Sequence, residues 1–360
     1  MFDIKGFFSG GKRLAALDIG SSCIKLAEMQ DTAKGHCLSR FYQMPLAKGV
    51  IVEGAVAEPE ILTATIQELI KKSGCRRKRV VTSISGHAVI VKKVTFPQME
   101  EDELRELIQD EAGKYLPFDD MSTVHYDFQI LGESPFNPTQ MEVLLVAVKK
   151  EIVEGYTDAI EAAGLIPVIM DVDCFALETM YEENYEFEAD DVAVLVNIGA
   201  SITNINVVKG GSSIFTRDFT LGGSSVTEAI ARTLGVSFEE AEKAKIKGFG
   251  QDSRARDQFL GGLIAYADPI CSEIERSIDY FRSTVGAESI KQLYLSGGGA
   301  MIPGMAADLA RRLGIETELI DPFRRIACER GAIDPQMAGR IGPMAAVGVG
   351  LALRKIGDKG

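Results

Sequence analysis

Apolar positions along the chain alternate between two periods, that of short strands and that of amphipathic helices. Apolar runs at 14–19 and 24–29 flank a Gly-Ser-Ser turn and predict a β-hairpin. Apolar residues at helical spacing follow Glu58-Pro59, and residues 80–84 predict a buried strand. Strands that alternate with helices in this way are typical of an α/β fold.

Residues 86–165 have a pattern of their own. A strand VIVKKVTFP is followed by a helix that starts after Met99 with the acidic first turn EEDE. Two strands near 126–131 and 142–148 and a helix ending near Gly164 complete the segment. This β-α-β-β-α order predicts an inserted subdomain.

The start of the chain is repeated about 180 residues later. The stretch LAALDIGSSCIKLAE at 14–28 has a counterpart in AVLVNIGASITNINV at 193–207. Both place Asp or Asn, then Ile-Gly, a small residue and Ser, between two apolar strands. The acidic stretch NYEFEADD at 184–191 predicts a linker. The chain therefore divides into two similar halves.

A third glycine element, LYLSGGGAMIPG at 293–304, runs from a strand through three glycines into a helix predicted to begin near Pro303. Each of the three elements, taken alone, is also typical of an ordinary tight turn. Glycine turns on both sides of one cleft would bring backbone N–H groups together, and such groups bind anions. The three elements in this order predict an anion-binding cleft between the two halves.

Composition narrows the class of protein further. A length of 360 residues favours at least two domains, and a net charge of −13 argues against a nucleic-acid footprint. Six cysteines without a C-x-x-C pair and three histidines form no zinc signature. The start of the chain lacks the apolar length of a secretory signal, and no run is long enough to span a membrane. We expect a cytoplasmic protein without a membrane span.

The glycine elements, in their order, resemble the two phosphate loops and the adenosine loop of the actin-like ATPase superfamily, which includes actin, DnaK-type chaperones, sugar kinases and FtsA. The segment 86–165 is placed as in FtsA. The resemblance implies a two-domain actin-like (ribonuclease H-like duplicated) α/β fold with an FtsA-like inserted subdomain. The implied subdomains are 1–85 plus 166–190, the insertion 86–165, 191–225 plus 290–360, and a helical nucleotide-covering subdomain at 226–289.

The same resemblance implies ATP or ADP and Mg²⁺ as ligands. Asp18 is implied to hold the hydrated Mg²⁺, the Ser21-Ser22 turn to wrap the phosphates, and Lys25 to reach them. The other implied cofactor-binding residues are Gly20, Gly199, Thr203, Gly223, Glu242, Lys245, Gly297, Gly298 and Gly299. The helix EEAEKAK, which carries Glu242 and Lys245, is equally typical of a solvated helix with charge pairs.

Two residues are candidates for catalysis. Asp173 lies where related proteins have an acid in the cleft, and Asn197 begins the second phosphate loop, which in relatives usually starts with Asp. An amide orients a water or ligand but neither carries negative charge nor accepts a proton as a base. We therefore expect nucleotide binding with weak or slow hydrolysis.

Further patterns, KKVTFPQMEEDEL, EAGKYLPFDD and AGLIPVIMDVDCFAL, resemble the PilM family of type IV pilus assembly proteins. That resemblance implies an ATP-binding adaptor peripheral to the inner membrane, which binds the N-terminal cytoplasmic peptide of a PilN-like membrane protein. Ser85, Lys92 and Lys93 are the predicted peptide-binding residues, although lysines also protect ordinary strand edges. Pilus motor components and self-association are further candidate interactions. An FtsA-like filament-forming ATPase and a small-molecule kinase remain as alternatives.

Overall fold

The structure is a computed structural model that describes residues 14–86, 89–134, 137–250, 252–285, 289–334 and 341–357. The start of the chain, for which the sequence predicts no signal, lies outside this part. The elements of the first half, in chain order, are β1 (Ala15–Ile19), β2 (Cys23–Thr32), β3 (Gly35–Pro45), β4 (Ile51–Val52), β5 (Ala55–Val56), α1 (Pro59–Ser73), β6 (Arg79–Ile84), β7 (Val89–Pro97), α2 (Glu101–Tyr115), β8 (Val124–Ser134), β9 (Asn137–Lys149), α3 (Lys150–Ala162), β10 (Ile166–Val172) and α4 (Asp173–Asn184).

The second half begins with a hairpin after the acidic stretch that follows α4. Its elements, in chain order, are β11 (Val192–Ile198), β12 (Thr203–Lys209), β13 (Ser212–Phe219), α5 (Gly223–Leu234), α6 (Phe238–Lys247), α7 (Ser253–Gly261), α8 (Asp268–Thr284), β14 (Ile290–Ser296), α9 (Met305–Leu313), β15 (Thr317–Leu319), β16 (Ala327–Cys328) and α10 (Ile341–Leu353).

Two sheets of similar topology confirm the predicted duplication. Within the described residues, the first sheet has the strand order β10-β6-β1-β2-β3-β16 and the second β13-β12-β11-β14-β15. In each sheet an antiparallel hairpin, β1–β2 or β11–β12, is joined by a parallel strand, β6 or β14. Strands β1 and β11 are almost wholly buried, as expected for apolar strands covered on both faces.

Helices α4 and α10 lie between the two sheets. Helix α10 packs against β1 and β2, and helix α4 packs against β11 and β12. The two helices cross closely, since a Cβ added at Gly350 would overlap the carbonyl oxygen of Ala176. Apolar residues of both sheets and both helices form one shared core, so these helices join the halves.

The insertion contains a three-stranded sheet, β7-β9-β8, whose core is shared with α2. Phe96, Leu104 and Val143 are buried there. Helix α3 falls within the predicted segment 86–165, but it packs against α1, and its Tyr156 and Ile160 belong to the core of the first sheet. The compact inserted unit therefore ends with β9. Among the described residues, no helix combines the length and apolar character needed to cross a membrane.

Candidate functional site

The two repeated turns lie at the carboxyl ends of β1 and β11 and have matching geometry. The backbone N–H of Gly20 donates to the carbonyl of Cys23 at 3.1 Å, and that of Gly199 donates to the carbonyl of Ile202 at 2.9 Å. A Cβ added at Gly199 would lie 2.8 Å from the same carbonyl, so the tight turn requires glycine there. The predicted phosphate loops are thus equivalent hairpin turns.

Asp18 and Lys25 face each other across the first hairpin. The Lys25 Nζ lies 2.7 Å from the Asp18 Oδ2, and both side chains are largely buried. Burial works to lower the pKa of Lys25, but the Asp18 carboxylate outweighs it and raises that pKa above its ordinary value. Lys25 is therefore a fixed positive charge beside the turn of Gly20, Ser21 and Ser22.

Asp173, the first residue of α4, lies near this ion pair. Its Oδ1 accepts a hydrogen bond of 2.6 Å from the Ser83 hydroxyl. Burial raises the pKa of Asp173 to about 6, and the nearby Asp18 carboxylate adds to the rise, whereas hydrogen bonds from Ser83 and Ser85 oppose it. The structure therefore brings the predicted Asp18 and Asp173 together, and places Ser85, predicted for peptide binding, beside Asp173.

Asn197 occupies the position in the second hairpin that Asp18 holds in the first. Its Nδ2 donates to the Asn204 Oδ1 at 3.1 Å, and its Oδ1 accepts from the Ser296 hydroxyl at 3.4 Å. The hydroxyl of the buried Thr203 donates to the carbonyl of Leu221 at 2.7 Å. Both side chains therefore have structural partners within the second half.

The third glycine element lies beside the second turn. A Cβ added at Gly297 or Gly299 would overlap Ile198, whereas Gly298 is exposed and has open space at its Cβ position. The Gly223 N–H donates to the carbonyl of Gly199 at 2.9 Å. These contacts pack Gly223, Gly297 and Gly299 around the second turn and leave Gly298 exposed.

Lys245 and Glu242 of α6 lie beside Gly223. The Lys245 Nζ lies 2.9 Å from the carbonyl oxygen of Gly223 and 2.7 Å from the Glu242 Oε2. The Thr227 hydroxyl contacts both side chains. The structure therefore brings together Gly223, Glu242 and Lys245, three of the implied cofactor-binding residues.

Contacts across the cleft were not foreseen from the sequence, because they involve loops without a periodic pattern. The Lys48 Nζ lies 3.0 Å from the Glu228 Oε1 and 4.4 Å from the centroid of the Phe238 ring. The Gly86 N–H donates to the Asp218 Oδ2 at 2.7 Å, and a Cβ at Gly86 would lie 2.8 Å from the Ile202 Cδ1. The two halves thus touch at the rim and below the phosphate turns.

A groove, separate from the cleft, lies where the inserted sheet meets both halves of the chain. This groove has a cavity of about 270 Å³ and is lined by Gly86, Val89, Ile90, Val91, Val172, Cys174, Thr216, Arg217 and Asp218. The predicted Lys92 and Lys93 do not line the groove: the Lys92 Nζ donates to the carbonyl of Tyr115, and the Lys93 Nζ pairs with Glu142 at 2.9 Å. In the described part of the chain, β7 pairs with β9 alone, which leaves its other edge open.

The acidic residues of the cleft do not form a complete metal site on their own. Within the described residues, no group of three or more His, Cys, Asp or Glu side chains is arranged to hold a metal ion. A magnesium ion that also binds phosphate oxygens and waters needs only one or two protein carboxylates. Asp18, the implied Mg²⁺ ligand, is one such carboxylate, and Asp173 lies near it.

The duplicated sheets, the two helices between them and the glycine turns define an actin-like fold. The ethanolamine utilization protein EutJ of Carboxydothermus hydrogenoformans is similar in structure, with a TM-score of 0.57 and 16% identity over 94% of this chain and 89% of that chain. The chain belongs to the family described as type IV pilus assembly protein PilM, whose family model matches residues 16–356. A solved PilM-PilN type IV pilus biogenesis complex is similar at a TM-score of 0.81 and 30% identity, over 96% of this chain and 99% of that chain.

Curated relatives match shorter parts of the chain. Cell division protein FtsA of Enterococcus hirae is 26% identical over 203 residues, which make up 51% of this chain and 45% of that protein. EutJ of Escherichia coli (strain K12) is 29% identical over 116 residues, or 32% of this chain and 37% of that protein. The chain thus spans less than half the length of these two relatives.

Proposed function

We propose that the chain is a nucleotide-binding adaptor of pilus assembly, which holds Mg²⁺ with ATP or ADP in its cleft and binds the N-terminal cytoplasmic peptide of a PilN-like membrane protein. The observation that carries the proposal is the similarity to the PilM-PilN complex, which extends over nearly the whole chain. Binding to that partner would keep the protein at the cytoplasmic face of the inner membrane.

Charged groups and backbone turns at the cleft support nucleotide binding. The N–H groups of Gly20 and Gly199 close their own turns, so phosphates would bind the backbone N–H groups of the residues that follow each glycine, and Lys25 supplies a positive charge beside the first turn. The exposed Gly298 leaves a flat backbone surface on which a base can lie. Lys245 and Glu242 are the residues proposed to bind the ribose hydroxyls. Bound Mg²⁺ would neutralise phosphate charge, with Asp18 as the carboxylate that holds it.

The side chains around the phosphates favour binding over turnover. Asp173, whose pKa is raised to about 6, is suited to accept a proton near neutral pH. The amide of Asn197, by contrast, is hydrogen-bonded to Asn204 and cannot act as a base. Slow hydrolysis is therefore expected, and a bound nucleotide acts mainly by holding the two halves together.

The groove beside β7 is the proposed peptide site. Val89, Ile90 and Val91 give it an apolar wall, and the open edge of β7 offers backbone groups for an added strand. Thr216, Arg217 and Asp218 form the opposite wall, which belongs to the second half of the chain. A peptide bound here would contact both the insertion and the half that carries the second phosphate turn.

Titration with a synthetic peptide tests the adaptor proposal. The probe is the N-terminal cytoplasmic segment of PilN from the same bacterium, and binding is followed by fluorescence anisotropy. Val91→Asp places a charge in the apolar wall of the groove and should weaken binding at least tenfold, because a bound peptide would bury apolar side chains against a carboxylate that must lose water. Thr95→Asp is the matched control, since Thr95 is exposed on the same strand and lies outside the groove.

The outcomes test the adaptor function and the location of the peptide site separately. Failure of the wild-type protein to bind the peptide would overturn the adaptor proposal, and equal binding by Val91→Asp and Thr95→Asp would move the peptide away from this groove. Nucleotide binding, measured on the same variants, should be unchanged because neither Val91 nor Thr95 belongs to the phosphate turns.

A further inference from the structure

A basic segment connects α1 to β6 in this otherwise acidic chain. Residues 71–79 read KKSGCRRKR, with six cations and no acid, while the whole chain has a net charge of −13. Lys71 and Lys72 lie in the last turn of α1, and Gly74, with φ of 66°, ends the helix. Cations in the last turn of a helix interact favourably with the helix dipole. The cations that follow Gly74 lie outside the helix and do not have this role.

Two of these cations, Arg77 and Lys72, form ion pairs within the protein. The buried Glu28 pairs with the Arg40 Nε at 3.0 Å and with the Arg77 Nε at 3.3 Å. Arg77 also donates to the carbonyl of Met29 at 3.1 Å, and Lys72 pairs with Glu68 at 2.7 Å. These residues fix the connection between α1 and β6.

Of the remaining four cations Arg79 is half-buried, and the other three form a basic patch, defined here as Lys71, Arg76 and Lys78. All three side chains are exposed, and in the described part of the chain no carboxylate lies within ion-pair distance of them. The backbone beneath is well anchored, since the Ile166 N–H donates to the carbonyl of Lys78 at 2.8 Å. The patch therefore presents fixed positive charge to its surroundings.

A hollow of about 490 Å³ opens beside Arg76. Its lining consists of Glu28, Arg40, Gly74, Arg76 and Arg77, so that charged groups and one glycine surround it without any apolar side chain. A peptide would gain no apolar burial in such a hollow. A phosphate headgroup, in contrast, would meet guanidinium groups, which bind phosphate through paired hydrogen bonds.

The basic patch is separate from the two proposed binding sites. Strand β6 runs from Arg79, next to the patch, to Ile84, next to Asp173 and the groove, a distance of about 17 Å at the rise of a β-strand. Neither a nucleotide in the cleft nor a peptide in the groove would cover the patch.

We propose that the basic patch binds the surface of an anionic phospholipid bilayer. Because the chain has a net negative charge, its approach to such a surface is unfavourable in most orientations. The orientation that turns the basic patch toward the membrane is the favourable one. Each basic residue near an anionic surface strengthens binding roughly fivefold. The proposal builds on the proposed function in one respect: a PilN-like tether would raise the local concentration of the patch at the membrane.

Co-sedimentation with vesicles tests the proposal on the full chain without any peptide. Wild-type protein should bind vesicles containing phosphatidylglycerol, should not bind vesicles of phosphatidylcholine alone, and should be released by added salt. The variant Lys71→Gln/Arg76→Gln/Lys78→Gln should bind roughly a hundredfold more weakly. Lys243→Gln/Lys247→Gln/Arg254→Gln is the matched control, because it removes the same charge from exposed positions on α6 and α7 and should retain wild-type binding.

Other outcomes would overturn the proposal. An equal loss of vesicle binding in both triple variants would mean that net charge alone determines the binding. Equal binding to both vesicle types would exclude recognition of the lipid charge. Stronger binding of soluble polyglutamate than of anionic vesicles would assign the patch to an acidic protein. If the protein binds the PilN peptide but not vesicles, the lipid proposal is wrong and the adaptor function stands. If it binds anionic vesicles but not the peptide, the adaptor function is wrong and the lipid proposal stands.

Discussion

Asp173 carries the most perturbed carboxyl group among the cleft residues, because burial and the neighbouring Asp18 both disfavour its charge and raise its pKa to about 6. A raised carboxyl pKa means that the folded state binds more protons than the unfolded state between about pH 4 and 6. The stability contributed by this group is therefore present at pH 4 and is lost as the pH rises through 6.

Replacing Asp173 by Asn removes this dependence. We expect Asp173→Asn to be more stable than wild type by up to about 3 kcal/mol at pH 7.5 and nearly equal to it at pH 4, because the amide keeps an acceptor for Ser83 without the buried charge. Urea unfolding at several pH values measures the difference. Asp158→Asn, an exposed carboxyl on α3, should show no such trend. A constant difference across the pH range would contradict the assignment.

The two hairpins differ at one pair of equivalent positions. Asp18 and Lys25 form an ion pair in the first hairpin, and Asn197 and Asn204 form an amide hydrogen bond at the same register in the second. The sequence repeat was sufficient to align Asn197 with Asp18. It did not reveal that Asn204 takes the place of the lysine, because that depends on the cross-strand register, which the structure provides.

At the scale of elements, hydrophobic period predicted the hairpins and the strand that leads into the three glycines. The periodicity of apolar residues also predicted a helix at the end of 86–165, but periodicity alone does not identify the neighbour against which a helix packs. Helix α3 packs against α1 rather than against the inserted sheet. Very short strands such as β15 and β16 have too few residues to show a period, and their place in the sheets depends on contacts distant in sequence.

The crossing of α4 and α10 depends on one glycine. A Cβ at Gly350 would overlap the Ala176 carbonyl, whereas a Cβ at Gly348 would meet only ordinary contacts at 3.9 Å. Gly350→Ala should cost about 3 kcal/mol or more because the helices must separate. Gly348→Ala should be neutral or slightly stabilising, since alanine favours the helix. Thermal unfolding of both variants checks the contrast, and equal effects would contradict this packing.

At the scale of the whole molecule, the contacts of Lys48 connect the rim of the first half to α5 and α6 of the second. An exposed ion pair contributes up to about 1 kcal/mol, and an exposed cation–π contact about 0.5–1 kcal/mol. Lys48→Ala should therefore speed the release of a bound nucleotide by up to roughly tenfold, which stopped-flow release of a fluorescent ATP analogue measures. Lys114→Ala, which removes an ion pair on α2, should leave the rate unchanged. Equal rates for wild type and Lys48→Ala would show that this rim contact does not hold the cleft closed.

The central claim is that the cleft between the repeats binds a magnesium nucleotide, and isothermal titration with Mg-ATP tests it most directly. Wild-type protein should bind one equivalent. Gly298→Leu should bind at least tenfold more weakly. Gly298 has a helical φ of −66° and open space at its Cβ position, so a leucine fits the free protein but occupies the exposed backbone where we propose that the base lies. Gly261→Leu, at another open glycine position on α7, should bind like wild type. Absence of binding by the wild-type protein, or equal affinity for Gly298→Leu, would contradict the account.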